Sequence, residues 1–178
     1  MLLINDNIKK MNSSRWLKNI FSVMYYLLII SSVILFGILL YSVFINSTDI
    51  LAIMENKREF KITSENALYT YLVYDLVLGI GFIYILYLFK NLMQDLITGP
   101  LFTNLQITSF KLIGQLIIFI TILNELFRFV YKVIFNKRIE INFDHFNLWF
   151  VIFGLFLIFL STIFNQARII KEENELTV

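Results

Sequence analysis

Three ionisable residues, Asp75, Glu125 and Arg128, stand inside stretches of sequence that are otherwise apolar. Glu125 and Arg128 are three apart, a spacing that puts both on one face of a helix. An ionised group in hydrocarbon costs ~2.5–3.5 kcal/mol even on insertion scales, so each needs a partner or water. With Asn124 and Tyr71 as further hydrogen-bonding groups, the expectation is one acid–arginine cluster. Two roles are open to it. It clips two helices together, or it lines a cavity that binds something from outside. Other chemistry has few donors to draw on. His145 is the single histidine and cysteine is absent, so a thiolate or imidazole metal centre lacks ligands. There is no nucleophile–base pair, no phosphate-cradling glycine loop and no H-E-x-x-H pattern. A non-enzymatic protein without a cofactor is expected.

The elements that must position these residues follow from composition. Of 178 residues, 58% are hydrophobic and 16% charged, where soluble domains hold about 45–50% and about 25%. Mean hydropathy is +0.75. A soluble globule of this size cannot hide so much apolar surface, which points to lipid as the solvent. Disorder is excluded by the shortage of polar residues, and a disulfide scaffold by the lack of cysteine. Direct nucleic-acid binding is disfavoured by a net charge of only +2.

A helix crosses the hydrocarbon core in about 20 apolar residues. Four segments qualify, at about 20–45, 67–89, 105–131 and 146–167. They are apolar on every side rather than alternating, which argues against a membrane barrel. The first follows a basic stretch (Lys9, Lys10, Arg15, Lys18) but is too long for a signal-peptide core, so it reads as an uncleaved first helix. The fold class is therefore an all-α membrane protein: an antiparallel four-helix transmembrane bundle, a single domain over residues 1–178.

With the amino terminus inside, eight basic residues fall on the inner side and six on the outer. The first helix has the most basic flank and usually dominates, so both termini are placed in the cytoplasm. The two outer connections each contain a period-two run, 59–63 and 138–143. Paired, these would make a small extracellular two-stranded ribbon laying Phe60, Ile62, Ile139, Ile141 and Phe143 onto the helix ends. Two irregular loops remain the alternative. Gln115 is read as a helix–helix hydrogen bond, and Gly37, Gly79, Gly81 and Gly154 as places of close backbone approach.

The inner connection carries Gly99-Pro100-Leu101-Phe102-Thr103, a turn signal in which Pro cannot continue a helix and Thr103 or Asn104 can cap the next. After it comes Leu112-Ile113-Gly114. The chain closes with Ile163-Phe164-Asn165-Gln166-Ala167 and Lys171-Glu172-Glu173-Asn174-Glu175-Leu176-Thr177-Val178. This pattern resembles a bacterial membrane protein family catalogued as domain of unknown function 2975, whose members have a G-x-P-F-T-like turn before helix three and an E-N-D-L-T-V-like tail. The present chain departs in reading Gly-Pro-Leu-Phe and in having Glu175 where Asp is common. The resemblance implies a four-helix bacterial membrane protein encoded beside a small helix-turn-helix regulator, and no catalytic residues.

Three roles stay open. The first is a membrane regulator or sensor that signals to the helix-turn-helix neighbour, with the acidic tail (Lys171, Glu172, Glu173, Glu175) as partner-binding segment. The second is an immunity-type protein that binds a membrane-active peptide at the outer face. Third comes a small transporter or channel, which a thin polar pathway disfavours. In each case the lipid bilayer is the constant partner.

Overall fold

The computed structural model describes residues 2–44, 62, 64–137, 139 and 145–176, with side chains described from Trp16 in the first helix and over 147–175 in the last. Four helices account for nearly all of it: α1 (Leu2–Phe44), α2 (Glu65–Thr98), α3 (Asn104–Phe135) and α4 (His145–Leu176). Each is longer than the apolar run that announces it. Helix geometry continues through the headgroup layer, and it stops where the sequence supplies a cap. Ser64 accepts a hydrogen bond from the Ala67 N–H at 3.2 Å. Thr103 and Gln106 form a reciprocal capping box at the start of α3.

All four helices are long and apolar enough to cross a bilayer. Their outward faces carry large exposed apolar side chains along the whole length, among them Val33, Ile80, Phe119 and Phe159, each at least 58% exposed. Water would not tolerate that surface, and lipid tails do. Trp16 and Trp149 are also exposed and sit near opposite ends of the bundle, where amphipathic rings meet headgroups. The protein is a multi-pass membrane protein.

Neighbours in sequence are neighbours in space, and each pair runs antiparallel. The described contacts join α1 to α2, α2 to α3 and α3 to α4, with no packing between α1 and α4. Among the described residues the bundle is thus open along one side. One end holds the α2–α3 turn and is called the turn end below. The other, where α2 and α4 begin, is the loop end.

Small residues set how closely the helices approach. Gly114 of α3 and Gly154 of α4 face each other so tightly that a Cβ on Gly154 would lie 2.8 Å from the Gly114 carbonyl oxygen and 2.7 Å from Ile118 Cγ1. Ser161 of α4 donates to the Ile107 carbonyl at 2.8 Å, a second tie across the same pair. Between α1 and α2, Gly79 lies against Ser32 and the rings of Phe21 and Phe89 stack at 4.9 Å. Gly81 meets Ile120 of α3.

Two sequence expectations are corrected here. Gly37 has nothing within 4 Å of where its Cβ would be, because it lies on a face of α1 that no described helix covers. Gln115 is exposed and is not a helix–helix clamp, because Gly114, one residue away, takes the face that meets α4. The outer ribbon lies almost wholly outside the described residues. Of its five apolar positions, Ile62 is buried at 1% exposure against Leu68, Leu72 and Tyr131, and Ile139 is 81% exposed.

The glycine crossing yields a controlled comparison. Gly154→Ala should destabilise the detergent-solubilised protein by about 1–3 kcal/mol through overpacking, whereas Gly37→Ala should stay within about 0.5 kcal/mol of the parent. Thermal unfolding of both variants in one detergent measures the difference.

Candidate functional site

Asp75 and Tyr74 belong to α2, and Asn124, Glu125 and Arg128 to α3, two to three turns inside the bundle from the loop end. Glu125 and Arg128 form an ion pair at 3.4 Å, with side chains 25% and 17% exposed. The Tyr74 hydroxyl donates to Asn124 Oδ1 at 2.6 Å, and its ring stacks on Phe127 at 3.4 Å between centroids. Asp75, Glu125 and Arg128 all lie within electrostatic reach of that hydroxyl. From α4, Asn147 Nδ2 donates to Glu125 Oε1. One polar cluster therefore joins three helices, not two.

Tyr71 lies farther toward the loop end and is also within electrostatic reach of the Tyr74 hydroxyl. It is buried in the loop-end core with Ile62, Ala67, Leu68, Leu72 and Tyr131, while Tyr74, one turn on, meets Asn124. In that core the Tyr131 hydroxyl faces the Ala67 carbonyl at 3.4 Å. Tyr74 and Asn147 are the cluster members that sequence reasoning passed over. Tyrosine and asparagine at helix ends are common interfacial residues, so nothing in their type marks them.

Below the cluster lies a cavity of about 280 Å³ between α2, α3 and α4. Its walls are apolar, and Asn124, Asn147 and Thr121 supply its polar atoms. Thr121 spends its hydroxyl on the Ile117 carbonyl at 2.7 Å.

A second polar network closes the turn end. Gln106 is fully buried. Its Nε2 donates to Asp95 Oδ2 at 2.9 Å and to the Pro100 carbonyl at 3.0 Å, and its Oε1 accepts from the Phe102 N–H at 2.8 Å. Thr103 Oγ1 donates to the same Asp95 oxygen at 2.6 Å. These bonds hold Phe102 in the left-handed region, at φ 68°, a conformation costly for a residue with a Cβ. The result is a ring projected edge-on against Phe164 of α4 at 5.3 Å. Gly99 is required because a Cβ there would press on the Asp95 carbonyl at 2.8 Å. Asp95 and Gln106 were not singled out from sequence, although the T-x-x-Q spacing of a capping box was there to read.

The tail residues Lys171, Glu172, Glu173 and Glu175 are exposed on the last turns of α4. Arg168–Glu172 at 3.3 Å and Lys171–Glu175 at 3.8 Å are i,i+4 pairs that keep the helix going beyond its apolar stretch. His145 is the first residue of α4. Among the described residues, no group of three His, Cys, Asp or Glu could hold a metal ion.

Residues 52–178 match the family described as Protein of unknown function (DUF2975). The chain belongs to that family. No curated protein and no solved structure matches it. In this DUF2975 member the matched region takes in α2, the turn, α3, α4 and the tail, so both polar networks lie inside it, and α1 precedes it.

Charge counting around the cluster predicts an asymmetry. Arg128→Gln removes the cation paired with Glu125 and should cost about 2–3 kcal/mol. Glu125→Gln removes one of two acids and keeps a hydrogen-bond acceptor for Asn147, so it should cost less than about 1 kcal/mol. Unfolding of the two variants in matched detergent reads the order directly; equal losses would contradict the cluster as described.

Proposed function

We propose that this protein is a non-enzymatic regulator of the bacterial cytoplasmic membrane, with both termini in the cytoplasm, passing a signal from the outer face to a small helix-turn-helix partner. The observation that supports it most is the continuity of α4. Asn147 on Glu125 and the charged tail at Lys171–Glu175 are two ends of one unbroken helix, about 36–42 Å apart at 1.5 Å per residue. A change in the cluster can tilt or shift that rod, and the tail would move with it. The tail's acidic side chains suit a basic cytoplasmic surface. The protein itself makes no direct contact with nucleic acid in this reading.

The surplus of acid in the cluster favours a second reading, an immunity-type protein that captures a cationic membrane-active peptide at the outer face. Transport ranks below both, because the cavity is apolar apart from its three polar residues.

Affinity purification of the full chain from its native membranes should bring down a helix-turn-helix protein, and deletion of residues 171–178 should abolish the capture. Arg128→Gly or Arg128→Ala would shift the regulated output without removing the protein from the membrane if the cluster is a signalling site. Unchanged capture after the deletion sinks the role given to the tail.

A further inference from the structure

We propose that the cavity between α2, α3 and α4 binds one aliphatic chain of a single-chain amphiphile whose head group is an amine. The shape argues for the chain. Leu78, Phe82, Ile85 and Phe89 line it in a stripe along α2, and that stripe is about 16 Å long at 1.5 Å per residue. A volume of about 280 Å³ spread along that stripe makes a narrow slot. A peptide helix, ~10–12 Å across with its side chains, does not fit. A single row of methylenes does.

The polar end argues for the head. Asn124 uses its Oδ1 to accept from Tyr74, and Asn147 uses its Nδ2 to donate to Glu125. Among the described hydrogen bonds Asn124 Nδ2 and Asn147 Oδ1 make none, so a donor and an acceptor remain on the two residues that line this end of the cavity. Behind Asn147 stands the Glu125 carboxylate, which it contacts. Glu125 is shared with Arg128, and Asp75 adds a second carboxylate within electrostatic reach of Tyr74, so the cluster holds two acids to one guanidinium. An amine at this position finds an acceptor and a negative field, whereas a carboxylate finds repulsion. Access is lateral. The backbones of α2 and α4 are not neighbours, so α3 floors the cavity and the bilayer adjoins its open side.

The proposal supplies a ligand class for the regulatory reading, but its test reads binding alone, so either can fail without the other. The full chain is placed in phosphatidylcholine nanodiscs with dodecylamine carrying a mid-chain diazirine, or with the dodecanoic acid counterpart. The amine probe should label cavity residues such as Phe82, Ile117 and Phe153 saturably, roughly tenfold more than the acid probe does. Unlabelled dodecylamine should compete. Leu78→Trp, which narrows the cavity, should cut that labelling at least roughly tenfold; Phe153→Trp, at a half-exposed position, replaces it if the first variant fails to assemble. Non-saturable labelling that treats Ile80 and Phe119 on the lipid face like the cavity residues would overturn the proposal. So would acid labelling equal to the amine's. Loss of labelling when phosphatidylethanolamine replaces phosphatidylcholine would assign the cavity to a bilayer lipid tail and overturn it equally.

Discussion

Hydrocarbon offers no hydrogen bonds, so each polar group that enters a bilayer must be answered from within the protein. This constraint organises the molecule. Backbone groups are answered by four uninterrupted helices. Two seams gather the interlinked polar side chains: Tyr74, Asn124, Glu125, Arg128 and Asn147 near one end, Asp95, Thr103 and Gln106 at the other. Both seams run through α3. The apolar stretch of α3 is 33% buried, against 6% for α1. α3 is the spine, and among the described contacts α1 packs on α2 alone.

The two networks differ in what they do to the chain. The turn-end network is built from neighbours in sequence, Asp95 to Gln106, and it finishes in a fixed local shape with Phe102 driven against α4. The loop-end network is built from residues up to 73 positions apart, Tyr74 to Asn147, and couples three helices through one or two hydrogen bonds each. Interhelical hydrogen bonds in membranes are worth about 0.6 kcal/mol on average. Each of these hydrogen bonds is therefore a small term beside the close glycine crossing of α3 and α4.

Much of the architecture was legible in the sequence because its cause is simple. Four long apolar runs demand lipid, and short polar intervals demand antiparallel neighbours. The helix ends were less legible: 67–89 became Glu65–Thr98 because the headgroup layer lets a helix run on until a cap stops it. Charged members of the cluster stood out by the cost of burying them. Neutral ones did not. Tyr71 and Tyr74 are both tyrosines on the same helix, and only the rotation of α2 against α3 decides that Tyr74 reaches Asn124 while Tyr71 is sealed in the core. The same holds for glycine. Gly37 and Gly114 are alike in sequence, and only the neighbour's position makes one indispensable and the other idle.

The absence of native cysteine makes the most direct test of the membrane account a clean one. Single cysteines at Leu101, Ile139 and Glu173, probed in sealed vesicles with a membrane-impermeant thiol reagent, report which face each position occupies. The account predicts that Leu101 and Glu173 react from one face and Ile139 from the other. Reaction of all three from the same face would contradict it.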